Sequence, residues 1–183
     1  MRRHLLLYFI VLIVPLGLSS LACEMKNPNA DRMKDLFLPP ASYLVGANPT
    51  TVTAADFNRD GNLDIITTNV ENDSLSFLQG NGDGTFRDEV KIRVGSQPRT
   101  LAMGDFNGDG KLDLALSLIG NTTEVVIMLG QGDGSFKEGD HYPTEYPPLS
   151  VAAADFNHDH KLDLVVAVRA DKIQIYYGQG NGK

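Results

Sequence analysis

The chain has 183 residues with 16 Lys and Arg against 23 Asp and Glu, a formal charge of −7, a single Cys and no Trp. Affinity for nucleic acid comes mostly from Lys and Arg on phosphates, so this balance argues against a nucleic-acid partner. One Cys excludes an intramolecular disulfide, and the length suffices for one domain with a real core.

Residues 1–22 have the three-part layout of a secretory signal peptide. Arg2 and Arg3 form a basic start, Leu5 to Leu18 an apolar run broken by Pro15 and Gly17, and Ser20-Leu21-Ala22 a small-residue cleavage site. The apolar run is short of the ~20 residues a spanning helix needs, so a cleaved leader is expected rather than a permanent anchor. Its removal leaves 14 basic against 23 acidic residues, a charge of −9. Cys23 follows Ala22 directly, which resembles the lipobox of bacterial lipoproteins, although Leu21 stands one place later than that pattern has it. The resemblance implies lipidation of Cys23 and a lipid-anchored place on the bacterial cell envelope; ordinary cleavage would leave a secreted chain with a free thiol. Residues 23–36 then read as a linker, and 37–183 as repeats.

Self-similarity dominates the rest of the chain. Asp56-Phe57-Asn58-Arg59-Asp60-Gly61-Asn62-Leu63-Asp64 recurs as Asp105-Phe106-Asn107-Gly108-Asp109-Gly110-Lys111-Leu112-Asp113 and as Asp155-Phe156-Asn157-His158-Asp159-His160-Lys161-Leu162-Asp163. A Gly-rich signature runs in phase with it, beginning at Gly80, Gly130 and Gly178, and Pro49, Pro98 and Pro148 keep the same period. The periods cover about 47–96, 97–146 and, in part, 147–183.

Within the first period, Thr51–Ala55 enters the Asp loop, Ile65–Thr68 leaves it, Leu75–Leu78 runs to the Gly turn and Val90–Val94 runs away from it. Alternation, β-branched content and Gly, Asn and Asp punctuation predict short strands joined by tight turns. Four strands in some 50 residues is the unit of one β-propeller blade. The two phased signatures resemble the FG-GAP, or VCBS-type, repeats of bacterial surface proteins, related to the blades of integrin α-subunit propellers. Even Phe37 to Pro49 resembles the closing part of a preceding repeat. The expected fold is therefore all-β, with about three propeller blades.

Each Asp loop carries a calcium-type donor pattern. Calcium takes six to eight oxygens, and a short loop supplies them when alternate side chains point inward. Loop 1 offers Asp56, Asn58, Asp60 and Asp64 with the Asn62 carbonyl; loop 2 offers Asp105, Asn107, Asp109 and Asp113 with the Lys111 carbonyl; loop 3 offers Asp155, Asn157, Asp159 and Asp163 with that of Lys161. An EF-hand would need Glu at position twelve between helices, whereas Thr67, Leu116 and Val166 stand there, so the loops resemble the integrin-type calcium loop in which the ninth-position Asp closes the site. Solvated turns without metal are the competing reading. Converging carboxylates repel one another unless a cation stands between them, which favours Ca²⁺, with affinity in the ~10⁻⁴ to 10⁻³ M range of extracellular modules.

Loop 3 departs from the pattern, because His160 replaces the sixth-position Gly and His158 adds a second imidazole. Drift in a weakened calcium loop is preferred to a zinc site. Phe57, Phe106 and Phe156 are expected to be core knobs between blades, and the Gly signatures to be hairpin turns, since no Lys-Ser/Thr follows for a phosphate loop.

A closed propeller needs four to eight blades, and the chain has material for about three. Either two chains assemble one ring, with Ser42 to Val45 supplying a missing strand to a neighbouring copy, or the sequence is a piece of a longer protein. No catalytic constellation stands out, so the expected function is a non-enzymatic surface binding or adhesion scaffold with an unknown protein or glycan partner. Alternatives are a carbohydrate-binding lectin or a polysaccharide-lyase-associated propeller, but Tyr142, Tyr146, Tyr176 and Tyr177 do not recur in phase as aromatic platforms.

Overall fold

The structure is a computed structural model that describes residues 37–182. The leader and Cys23 lie outside the described residues. All strands fall in one compact unit, Ser42–Lys183. Among the described residues no helix is long and apolar enough to cross a membrane.

Among the described residues eleven strands form three antiparallel sheets in chain order. Blade 1 holds β1 (Pro49–Ala55), β2 (Asp64–Asn69), β3 (Ser74–Leu78) and β4 (Val90–Arg93). Blade 2 holds β5 (Pro98–Gly104), β6 (Asp113–Leu118), β7 (Glu124–Gly130) and β8 (Phe136–Pro143). Blade 3 holds β9 (Pro148–Ala154), β10 (Asp163–Val168) and β11 (Lys172–Tyr176). Every sheet runs up and down in sequence order, so blades 1 and 2 have four strands each and blade 3 has three among the described residues.

The side-chain period of two decides which face meets which blade. In β7, Val126 and Met128 join the core shared with blade 1, while Val125 and Ile127 join the core shared with blade 3. With both faces covered, the strand carries a continuous apolar run rather than an alternating one. In β3, by contrast, Leu75 and Phe77 face blade 2, and Ser74 and Ser76 face the other way. Those buried hydroxyls are satisfied within a polar network: the Asn69 amide donates to Ser76 Oγ at 2.7 Å, and Ser76 donates to Glu89 Oε1 at 2.5 Å.

The segment before β1 forms no strand, although Ser42–Val45 was a candidate for one. It lies on its own blade 1, where Gly46 N–H donates to Ser76 Oγ at 3.1 Å and the Tyr43 ring meets Phe86 edge-on at 5.4 Å.

Two of the three repeat phenylalanines are core knobs. Phe57 is 3% exposed and packs edge-on against Phe136 of blade 2, and Phe106 is 8% exposed in the core shared with blade 3. Phe156 is 47% exposed, contrary to the expectation from its repeat position. Its forward face meets no further blade among the described residues.

Candidate metal centre

All three Asp loops join the first strand of a blade to its second, and each of loops 1 and 2 is touched by the loop end of a neighbouring blade. The Arg59 guanidinium of loop 1 donates to the Gly110 carbonyl of loop 2, and Gly182 N–H, in the Gly-rich turn beside loop 3, donates to the Phe106 carbonyl of loop 2 at 3.0 Å. One end of the blade stack therefore carries all three.

Each loop is wound by its own side chains. In loop 1, Asp56 Oδ1 and Oδ2 accept the amides of Asp60 and Gly61 at 3.1 and 3.0 Å, Asn58 Oδ1 accepts the Asp60 amide at 2.9 Å, and Asp60 Oδ1 accepts the Asn62 amide at 2.8 Å. These are Asx-type turns, in which a short polar side chain holds the backbone two or more residues on. Asp105 with Asn107 and Asp109, and Asp155 with Asn157 and Asp159, repeat the same bonds. The turn requires a left-handed sixth residue: φ is +87° at Gly61, +78° at Gly110 and +65° at His160. His tolerates that region better than most residues, so loop 3 keeps the path of the others despite its substitution.

The ninth-position aspartates behave differently. Asp64, Asp113 and Asp163 open the second strands and are fully buried. Asp64 accepts the Phe57 amide at 3.1 Å and the Gly80 amide at 2.9 Å, one on each oxygen. Asp113 does the same with Phe106 and Gly130, and Asp163 with Phe156 and Gly178. Each carboxylate thus ties its Asp loop to the Gly turn of the same blade, a role that spacing alone did not reveal. Its signal was an acid set between two apolar residues at the head of a strand, as in Leu63-Asp64-Ile65.

Burial raises the Asp64 carboxyl above its ordinary range, against the pull of the Gly80 and Phe57 amides, and the negative charge of Asp60 pushes the same way. Asp113 is raised likewise, by burial first and then by Asp109 and Asp105. The exposed fifth-position acids of loops 1 and 2 move oppositely. Asp60 is lowered chiefly by the Gln79 amide, at 2.9 Å, and Asp109 by the backbone and ammonium of Lys111. Lys111 Nζ stands 3.0 Å from Asp109, and Lys161 Nζ stands 3.8 Å from Asp159; Asn62 takes the equivalent place in loop 1.

The donor set of each loop is all oxygen, which fits a hard cation in kind. Among the described residues no three His, Cys, Asp or Glu side chains converge as a metal-holding group, and this includes the imidazoles of His158 and His160. Two carboxylate lone pairs on each ninth-position Asp are spent on amides, leaving the others free to accept.

The FG-GAP-like repeat family matches residues 56–116 and 117–166. The chain belongs to the FG-GAP-like repeat family. Each match begins or ends within a blade, so the family's unit is out of phase with the sheets: the first match starts on the Asp loop of blade 1 and closes in β6. No curated protein matches this FG-GAP-like chain.

Proposed function

We propose that this FG-GAP-like chain is an exported, non-enzymatic binding scaffold whose loop end is braced by calcium. The observation that carries the reading is the gathering of three all-oxygen loops on one end of a stack of blades, next to the buried carboxylates of Asp64 and Asp113, which burial first and neighbouring acids second favour in the protonated form. Asp56, Asn58 and Asp60, with the Asn62 carbonyl and Asp64, would hold the ion in loop 1, and the equivalent residues would do so in loops 2 and 3. A divalent cation supplies counter-charge to these acids. The protein residues supply the frame, since the Asx turns set the loop path and the ninth-position Asp fixes it to the Gly turn.

Loop 1 is the strongest of the three, because no lysine competes there for the fifth-position carboxylate. The exposed loop end is then a rigid surface for a protein or glycan partner on the outside of the cell.

Calorimetric titration with Ca²⁺, paired with melting in millimolar Ca²⁺ and in chelator, tests this. Binding to the native state raises Tm by mass action. The expected result is heat of binding and a lower Tm in chelator, with Mg²⁺ a poor substitute. No heat and a Tm unmoved by chelator would remove calcium from the account.

A further inference from the structure

The blade interfaces inside the chain are copies of one joint, and each half of that joint is repeated once more with no further blade against it among the described residues. On the forward side, a Phe knob and two strand residues meet the next blade. Leu75 and Phe77 of blade 1 are buried against blade 2, as are Val125 and Ile127 of blade 2 against blade 3. Their equivalents in β11, counted back from the Gly turn, are Ile173 and Ile175, which are 65% and 43% exposed, and Phe156 of the same blade is exposed as well.

On the backward side the same holds for blade 1. Leu101 of β5 and Val151 of β9 are 9% and 7% exposed because the preceding blade covers them, whereas the equivalent Val52 of β1 is 67% exposed. Leu112 and Leu162 pack into the blade interfaces, whereas Leu63 is exposed. Gly134, in the turn of blade 2, sits so close to blade 1 that a Cβ there would lie 2.8 Å from the Phe77 ring, and Gly182 is pressed as closely on Asn107. Gly84, the same residue of the blade 1 turn, has nothing within 4 Å. Leu63, Gly84 and Phe86 line an open groove there.

The segment before β1 supplies the third element. Tyr43 stands three residues before Gly46, as Ile92 of β4 stands three before Gly95. It lies against Phe86 and beside Leu78, much as Tyr142 of β8 lies against Tyr176 of blade 3 at 6.0 Å. Residues 42–45 thus sit on blade 1 where the outermost strand of a preceding blade would sit. β11 meanwhile is an edge strand among the described residues, paired there on one side only.

We propose that a second copy of this chain docks head to tail, its residues 42–45 adding to β11 as the fourth strand of blade 3 and its blade 1 covering Phe156, Ile173 and Ile175. Main-chain pairing along an open edge is a common mode of strand addition. The register follows from β3 and β4, where Leu75 faces Ile92 and Ser76 faces Lys91. Ile173 then faces Tyr43 of the second copy and Gln174 faces Ser42. Gln174 Oε1 is a buried side-chain atom with no hydrogen-bond partner, and a serine hydroxyl opposite it is a donor. Such an unsatisfied buried acceptor is costly, which favours the pairing. Phe156 enters the groove of Leu63, Gly84 and Phe86, as Phe57 meets Leu112 and Phe136.

The joint uses different surfaces on the two partners, so it closes only if the rotation returns to its start. Two copies supply six blades, within the range of four to eight that closes a ring. The proposal stands on packing and holds with or without calcium, so its test runs in both Ca²⁺ and chelator.

Sedimentation of the purified chain is expected to give twice the monomer mass. Phe156→Glu and Leu63→Glu, both at exposed positions that the monomer fold does not depend on, are each expected to give monomers with unchanged far-UV circular dichroism. Mixed together, they leave one intact joint between a wild-type knob and a wild-type groove, and a dimer is expected to return. A wild-type monomer at high concentration overturns the proposal and leaves the forward face to another partner or a further blade. Persistence of the dimer in Leu63→Glu overturns the head-to-tail arrangement in favour of two forward faces meeting.

Discussion

Blades 2 and 3 carry nearly the same Asp loop, the same ninth-position staple and the same Phe, yet one is core and the other is surface. Phe106 is buried because Leu162 and Val151 of blade 3 stand in front of it; Phe156 is half exposed because no blade does. A repeat's own sequence therefore sets its strands and loops, while its neighbour sets its burial. This is the quasi-one-dimensional energetics of stacked repeats, in which stability is a sum of unit and interface contributions.

The largest expected effect tests that split directly. Phe106→Ala should cost about 3–5 kcal/mol in urea unfolding, the range for emptying a buried aromatic site. Phe156→Ala should cost under ~1 kcal/mol when measured dilute, as surface substitutions do. Equal losses would break the comparison.

The staples sharpen it. Asp113→Ala leaves the Phe106 and Gly130 amides buried without an acceptor, for a loss of about 2–4 kcal/mol. Asp163→Ala should cost less, about 1–2 kcal/mol, because the Phe156 and Gly178 amides are only partly buried and water can replace the carboxylate. Denaturation midpoints of the two variants measure the gap.

Between the loops, Lys111→Asn gives loop 2 the seventh residue of loop 1 and removes the ammonium from Asp109. Calcium affinity at loop 2, read by titration, should rise several-fold, because an exposed competing ion pair is lost.

The smallest effect is a pH dependence confined to blade 2. His141 in β8 lies 2.8 Å from Glu138 and 3.3 Å from Glu124. Burial draws its pKa down, but the hydrogen bonds and charges of the two glutamates outweigh this and raise it above 6.5. A His raised in the folded state stabilises fully below its unfolded pKa and loses that contribution as pH rises through the folded value. Tm should therefore fall slightly as pH rises from 6.5 toward 8, and His141→Gln should flatten that slope. Blade 3 has no equivalent pair among the described residues.

Much of the fold was legible because β-strands and tight turns are local. Thr51–Ala55, Ile65–Thr68 and Leu75–Leu78 fall inside β1, β2 and β3, since alternation and Gly, Asn and Asp punctuation act over a few residues. The site was legible only in part. Asp56, Asn58 and Asp60, singled out by spacing as oxygen donors, wind one loop together through bonds to its own amides. Asp64 looked like a fourth member of that loop, but its burial depends on Gly80, 16 residues away, and no short pattern records such a partner. Phe156 failed for the same reason at larger scale: position in a repeat predicts the direction of a side chain, not whether anything lies in front of it. The place of Tyr43 against Phe86 was visible only as a faint likeness of residues 37–49 to the end of a repeat.

Hydrogen exchange of the β11 amides, followed against protein concentration with those of β6 as an internal standard, tests most directly the claim that blade 3 presents an open edge and face. The account predicts fast exchange in β11 when the protein is dilute, slowing as concentration rises, with β6 slow throughout. Exchange in β11 as slow as in β6 at every concentration would contradict it.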